Sequence, residues 1–121
     1  ADGWYEWQRI GSGKQPWYHH RGGDLFYMAG VYQPGIGCAV VTQGATEPLA
    51  EIHHRQPVLL DEQHLNVWLS GAQSSEELPT LEISLHPVSS RVGDTRYDDR
   101  DLTTQVDVDQ PAAGQTADLF S

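Results

Sequence analysis

The chain has a single cysteine, Cys38, in 121 residues, so no internal disulfide can form. One thiol bounds the redox compartment only weakly, and a reducing interior suits it best. Positive charge is scarce. Seven Lys and Arg stand against 17 Asp and Glu, for a net charge of −10. Residues 1–97 hold six basic and eleven acidic groups, and residues 98–121 hold Arg100 against six aspartates, so each part carries −5. A chain this acidic is a poor electrostatic match for phosphate backbones, although half of the excess sits at the C-terminal end. No apolar run approaches the ~20 residues of a membrane span, and there is no signal-peptide pattern, so a cytoplasmic protein is the expectation. Internal repeats, His-Glu-x-x-His and cysteine clusters are all missing. The six histidines include the pairs His19-His20 and His53-His54. Adjacent histidines on a strand point to opposite faces, so each pair supplies at most one ligand to a site. Neither a metal nor another cofactor is expected.

What is present suggests one domain at most. The 38% hydrophobic content is low for a self-sufficient globule. Ala1-Asp2-Gly3-Trp4 reads as the middle of something, which suggests a fragment, a processed chain or one piece of a divided protein. Residues 3–10 and Trp17 to Arg21 read as two strands of a hairpin around Gly11-Ser12-Gly13. Leu25 to Tyr32 and Cys38 to Thr42 are nearly continuous apolar strands, expected to be buried on both faces. In such a run Cys38 is a small buried hydrophobe rather than a nucleophile. Thr46 suits an N-cap, with Pro48 in the first turn of a short helix running to about His53. Pro57 holds Gln56 extended, and Val58-Leu59-Leu60 is a brief strand. Asp61 caps the clearest helix, about residues 62–70, with Leu65, Trp68 and Leu69 on one face and Gly71 as the stop. Ser74 to Leu78 suggests one more helical turn. Leu81 to Ser89 alternates as a strand, and Leu102 to Val106 suits an edge strand. The expected fold class is α+β and strand-dominated: a barrel-like antiparallel sheet with short flanking helices. It spans residues 1–106, and residues 107–121 form an acidic, flexible tail.

Two stretches carry candidate chemistry. Asp2-Gly3-Trp4-Tyr5-Glu6-Trp7 places one carboxylate between aromatic residues. Held against Trp and Tyr, Glu6 is partly desolvated, which raises its pKa and suits it to proton transfer. Glu51-Ile52-His53-His54-Arg55-Gln56-Pro57 offers imidazoles and a guanidinium, and a histidine near Glu6 can share that proton work or polarise a carbonyl. Each stretch also has an ordinary reading: a solvated glutamate head, or a helix-end histidine bonded to a backbone carbonyl.

Gly3-Trp4-Tyr5-Glu6-Trp7, Lys14-Gln15-Pro16, Phe26-Tyr27-Met28-Ala29-Gly30, Val41-Thr42, Ile52-His53-His54-Arg55-Gln56-Pro57-Val58-Leu59-Leu60 and His86-Pro87-Val88-Ser89 with Val92 resemble the SOS response-associated peptidase (SRAP) family, and they stand in that family's order. The resemblance spans about residues 1 to 100 and covers the C-terminal half of the family domain. The family's Met-Cys-Gly start, whose cysteine becomes the mature N-terminus, and its Asn-x-Arg motif do not occur here. The resemblance implies an SOS and DNA-damage response protein that recognises abasic sites in single-stranded DNA. Such a protein forms a thiazolidine DNA–protein crosslink through the N-terminal cysteine and has autoproteolytic peptidase activity. Whether this chain is itself an enzyme is left open by the missing nucleophile. Glu6 and His53 are the implied catalytic residues, and His54 sits where the family varies and is expected to be exposed. Trp7, Thr42 and Arg55 are the implied DNA-binding residues. Trp7 suits base stacking or a core position. Thr42 equally suits a strand-end hydroxyl bonding its own backbone, and Arg55 either a phosphate or an ordinary salt bridge to Glu51. Implied partners are single-stranded DNA with an abasic site and the other half of the domain, from the same gene or a partner chain. The implied setting is bacterial or phage cytoplasm, nucleoid-associated when bound to DNA.

The final stretch, Gln115-Thr116-Ala117-Asp118-Leu119-Phe120, resembles peptides that dock on the bacterial sliding clamp. Gln115, Leu119 and Phe120 are its candidate contacts, and an unstructured tail of random composition is the competing reading. Two other readings stand beside the crosslinking one. The first is a non-enzymatic interaction module recruiting a sliding clamp through this tail. The second is a metal-dependent hydrolase on a small β-barrel.

Overall fold

A computed structural model describes residues 1–71 and 78–108. In chain order its strands are β1 (Gly3–Ile10), β2 (Gly13–His20), β3 (Tyr27–Met28), β4 (Gly30–Gln33), β5 (Gly37–Val40), β6 (Thr42–Gly44), β7 (Arg55–Pro57), β8 (Leu59–Leu60) and β9 (Ser84–Pro87). One α-helix, α1 (Glu62–Ser70), follows β8. No helix among the described residues is long and apolar enough to cross a membrane.

β1 and β2 form a full-length antiparallel hairpin, from Gly3 opposite His20 to Ile10 opposite Gly13. The second strand therefore begins at Gly13, and Lys14-Gln15-Pro16 lies within it instead of leading into it. β9 adds antiparallel to β2, giving the order β1-β2-β9 with β1 as an edge strand. A Cβ at Gly3 would run into the Tyr18 ring, so any larger residue there requires that ring to move. The inner face of this sheet carries Trp4 and Leu85, which pack on a buried cluster of Phe26, Leu49, Leu59 and Ile83. Buried Gln15 donates to the carbonyls of Pro16 and Val88, both at 2.9 Å, and so fixes the chain beyond β9.

The other six strands meet at one point. β3 pairs with β8, β4 with β5 and β6 with β7, all antiparallel. The residue between each pair of consecutive strands is Ala29, Val41 or Val58, and these three close a ring of backbone hydrogen bonds. Ala29 N–H donates to Val58 O (2.8 Å), Val58 N–H to Val41 O (2.9 Å) and Val41 N–H to Ala29 O (2.9 Å). Each extended segment thus serves two ladders. Ala29 and Val58 are buried with Leu60 and Leu78, and Val41, Leu65 and Trp68 pack against them.

This junction replaces the expected barrel. Among the described residues there are four separate small sheets and no closed barrel, because each long segment changes partner halfway along. It also splits the apolar runs. Leu25 to Tyr32 buries Phe26 and Ala29 and leaves Leu25, Tyr27, Val31 and Tyr32 exposed. The β4–β5 hairpin projects with every residue exposed, Cys38 included, so that cysteine is not a buried hydrophobe.

The helical segments also differ from expectation in places. Asp61 caps α1 by accepting from His64 N–H at 2.8 Å, and Gly71 ends it at φ 72°, as expected. Leu65 and Trp68 face the core, and Trp68 Nε1 donates to Gly30 O (3.1 Å), but Leu69 points to solvent. Before β7 there is only a 3-10 turn, Leu49–Glu51, which Pro48 and not Thr46 precedes. Thr46 N–H is taken by the Gln56 side chain at 2.9 Å. Leu81, Ile83 and Leu85 share the first core, although only Ser84–Pro87 is strand. Leu102 to Val106 is not an edge strand. A 3-10 turn, Arg100–Thr103, buries Leu102, and Val106 N–H donates to Pro87 O (2.9 Å). The turn placed at Ser74 lies outside the described residues, as does nearly all of the tail.

On the outer face of the sheet a line of hydrogen bonds reaches this C-terminal segment. Gly22 N–H donates to His20 Nδ1 (3.0 Å). His20 Nε2 lies 3.2 Å from His86 Nδ1, and His86 Nε2 lies 2.7 Å from Thr103 O. With an N–H at one end and a carbonyl at the other, every link of this line is satisfied when each ring carries a single proton, on Nε2. Burial holds the pKa of His20 below its usual value, and His86 adds to the effect.

The packing predicts that Leu60→Ala, at 1% exposure, costs about 3 kcal/mol in urea denaturation. Leu69→Ala, at 72% exposure, should stay within about 0.5 kcal/mol. Equal costs would contradict the placement of the second core under the junction.

Candidate functional site

The site forms where the edge strand β1 meets the loop ahead of β7. Alternation along β1 puts Glu6 and Gln8 on one face and Trp7 and Arg9 on the other. Across from β1, Leu49 and Ile52 are buried and anchor the 3-10 turn, and His53 N–H donates to Leu49 O at 3.1 Å. Gln8 joins the two parts. Its Nε2 donates to Glu51 O (3.1 Å), while its Oε1 accepts from Trp17 Nε1 (3.0 Å). Both ends of the amide are used, so β1 and the turn carrying His53 are held in fixed relation. The sequence reading overlooked Gln8. Its signal was its position, two residues after Glu6 and on the same strand face.

Between the two parts lies a cleft of about 540 Å³, lined by Glu6, Trp7, Arg9, Lys14, Ala50, Ile52, His53 and His54. Glu6 and His53 are both half-buried there. Trp7 is 36% exposed, and its ring edge lies against Gly93, so it is neither core nor free. His53 and His54 are not on a strand. They sit in the loop with their rings stacked, centroids 4.6 Å apart, and His54 is exposed. His53 Nδ1 lies 3.1 Å from both the N–H and the carbonyl of Arg55. In either tautomer Nδ1 is engaged by that backbone, which leaves Nε2 as the nitrogen for chemistry.

Thr42 and Arg55 are brought together, but they do not line this cleft. Arg55 Nη2 donates to Thr42 O (2.9 Å) and Thr42 Oγ1 (3.1 Å), and Nε reaches Oγ1 at 3.3 Å. The β6–β7 ladder sets this clamp by pairing Gln43 with Gln56. Among the described residues Arg55 forms no ion pair with Glu51 or any other acid, so its charge remains uncompensated. Gln115, Leu119 and Phe120 lie outside the described residues. Among those described, no group of three or more His, Cys, Asp or Glu side chains is placed to hold a metal ion.

Beside β1, His19 is 2% exposed and its ring lies tilted against Trp4, centroids 4.8 Å apart, and neither His19 Nδ1 nor Trp4 Nε1 has a hydrogen-bond partner. Burial pushes the pKa of His19 down to about 4, and His20 contributes in the same direction. His19 is therefore a neutral core group, not a member of the cleft.

Comparison with known proteins identifies the family. The chain belongs to the SOS response associated peptidase (SRAP) family, which it matches over residues 1–95. It is 32% identical to the abasic site processing protein YedK of Escherichia coli (strain K12), over 88% of this chain and 55% of that protein. It is 30% identical to the abasic site processing protein HMCES of Gallus gallus, over 92% of this chain and 44% of that protein. The chain thus spans about half the length of the curated relatives it matches. A crystal structure of a Bacteroides thetaiotaomicron protein has the same fold, with a TM-score of 0.69 over 88% of this chain and 54% of that chain, at 19% identity.

His19 makes stability depend on pH. The unfolded imidazole binds its proton near pH 6.5, the folded one only near 4, so between those values the unfolded state holds the extra proton. Stability is then complete above ~6.5 and falls as pH drops towards 4, by about 3 kcal/mol through this group alone. In urea denaturation across that range, His19→Phe should flatten the slope. An unchanged slope would show that His19 is not a neutral core group.

Proposed function

We propose that this chain is the Glu6/His53 half of a domain that recognises abasic sites in single-stranded DNA and becomes covalently joined to them. The observation that carries the reading is the convergence of Glu6, Trp7 and His53, from stretches far apart in sequence, on one cleft. The family of the chain and the names of its relatives point to the substrate. The ring-opened abasic sugar presents an aldehyde. Condensation with the α-amine of an N-terminal cysteine expels water and gives an imine. Addition of the thiol across the C=N bond then closes a thiazolidine with no net redox change. That cysteine is not among the residues of this chain, so the chemistry needs the other half of the domain.

Within that scheme, Glu6 takes up and returns the protons of the amine and the departing water, and it serves the autocatalytic removal of the initiator methionine. His53 helps open the sugar by giving a proton to the ring oxygen from Nε2. Both are half-buried, where a proton donor faces less competition from bulk water. Trp7 offers a face for stacking an unpaired base. The Arg55–Thr42 clamp presents a guanidinium, uncompensated among the described residues, to a nearby phosphate.

The native gene product, incubated with a single-stranded oligonucleotide bearing one abasic site, should give a heat-stable shifted band on a denaturing gel. His53→Ala and Glu6→Gln should each slow its appearance by roughly 10²–10⁴-fold, the usual value of a positioned acid or base. A wild-type rate in both variants would remove the two residues from the chemistry.

A further inference from the structure

We infer that Arg9 and Lys14 form a phosphate-binding pair for single-stranded nucleic acid at the mouth of the Glu6/His53 cleft. The inference deepens the function proposed above and rests on it. Arg9 stands directly opposite Lys14 in the β1–β2 register, and both line the cleft. Like charges directly opposite each other on an antiparallel pair are destabilising. Among the described residues neither side chain forms an ion pair or a hydrogen bond, and both are exposed. No ion pair among the described residues relieves that repulsion, and an anion between the two would.

The surroundings specify which anion. The chain has 17 acidic groups against seven basic ones, yet this cleft gathers two cations and two imidazoles around a single carboxylate. Two cations against one carboxylate give the lining a net positive charge, opposite in sign to that of the whole chain, and a concave site concentrates its effect. Trp7 precedes Arg9 by two residues on the same strand face, roughly 7 Å along β1. Each lies opposite a β2 residue, Trp7 facing Pro16 and Arg9 facing Lys14. An aromatic step followed by a doubly cationic step is the arrangement that holds a single strand, base on the ring and phosphate between the charges. The pair carries no base-reading geometry, so its contribution is independent of sequence.

The test is fluorescence anisotropy of the native gene product with two single-stranded oligonucleotides across a salt series. One carries a tetrahydrofuran abasic analogue, which cannot react, and the other is undamaged. Replacing both residues, R9Q with K14Q, should lower the slope of log affinity against log salt by about 0.7, the value of the one phosphate held between them. Affinity at physiological salt should fall on the order of tenfold, equally for both oligonucleotides. The charge-keeping exchange R9K with K14R should retain the wild-type slope, and circular dichroism should show both variants folded. A wild-type slope in the glutamine variant, or an equal loss in the charge-keeping one, overturns the phosphate pair alone. Failure of the wild-type protein to bind either oligonucleotide overturns the abasic-site reading on which it rests.

Discussion

Three backbone hydrogen bonds among Ala29, Val41 and Val58 hold the centre of this molecule. Each residue gives its N–H to one neighbour and its carbonyl to the other, so the ring is complete only when all three segments are present. Such groups in a dry interior are costly if left unpaired, and this closure satisfies all six at once. The candidate site residues follow from it at short range. Thr42 is the residue after Val41, Arg55 opens the strand that leads into Val58, and His53 lies two residues earlier. The junction sets the loop, and Gln8 then ties that loop to β1.

Much of this was legible in the sequence, and the failures share one cause. The β1–β2 hairpin, the Asp61 cap, the Gly71 stop and the Leu81–Ile83–Leu85 face each follow from local chemistry and were read accordingly. What went unread depends on which segment pairs with which. An apolar run such as Val31 to Tyr32 looks like a buried strand whether its partner covers it or leaves it projecting. Val41 carries no mark showing that it ends one ladder and begins another. Thr46 suited an N-cap, but Gln56, ten residues on, had taken its N–H. In the site, Glu6 and His53 came from the order of motifs, while Gln8 is evident only once the strand and the turn lie side by side.

Charge is another property that changes with scale. The chain as a whole is strongly acidic, and on composition alone phosphate looks like an unsuitable partner. The fold distributes the charges unevenly. Of the arginines distant from the cleft, Arg96 is spent on Asp94 at 2.6 Å, Arg91 lies over the Tyr97 ring at 5.5 Å, and Arg21 and Arg100 form no ion pair among the described residues. The cations of the cleft and the β6–β7 clamp face no acid partner among the described residues. If the cleft binds single-stranded nucleic acid as proposed, the acidic remainder of the chain disfavours indiscriminate attachment while the cleft permits capture at close range.

The line from Gly22 through His20 and His86 to Thr103 has a direction that its ends cannot reverse, since an amide N–H only donates and a carbonyl only accepts. Each imidazole can hold one proton in it and no more. A second proton on either ring sets two N–H groups against each other, so the line parts at that point. Neither parting reaches the last link: His86 Nε2 still donates to Thr103 O, so the Arg100–Thr103 turn, and with it the chain leading to the C-terminus, stays fastened to β9.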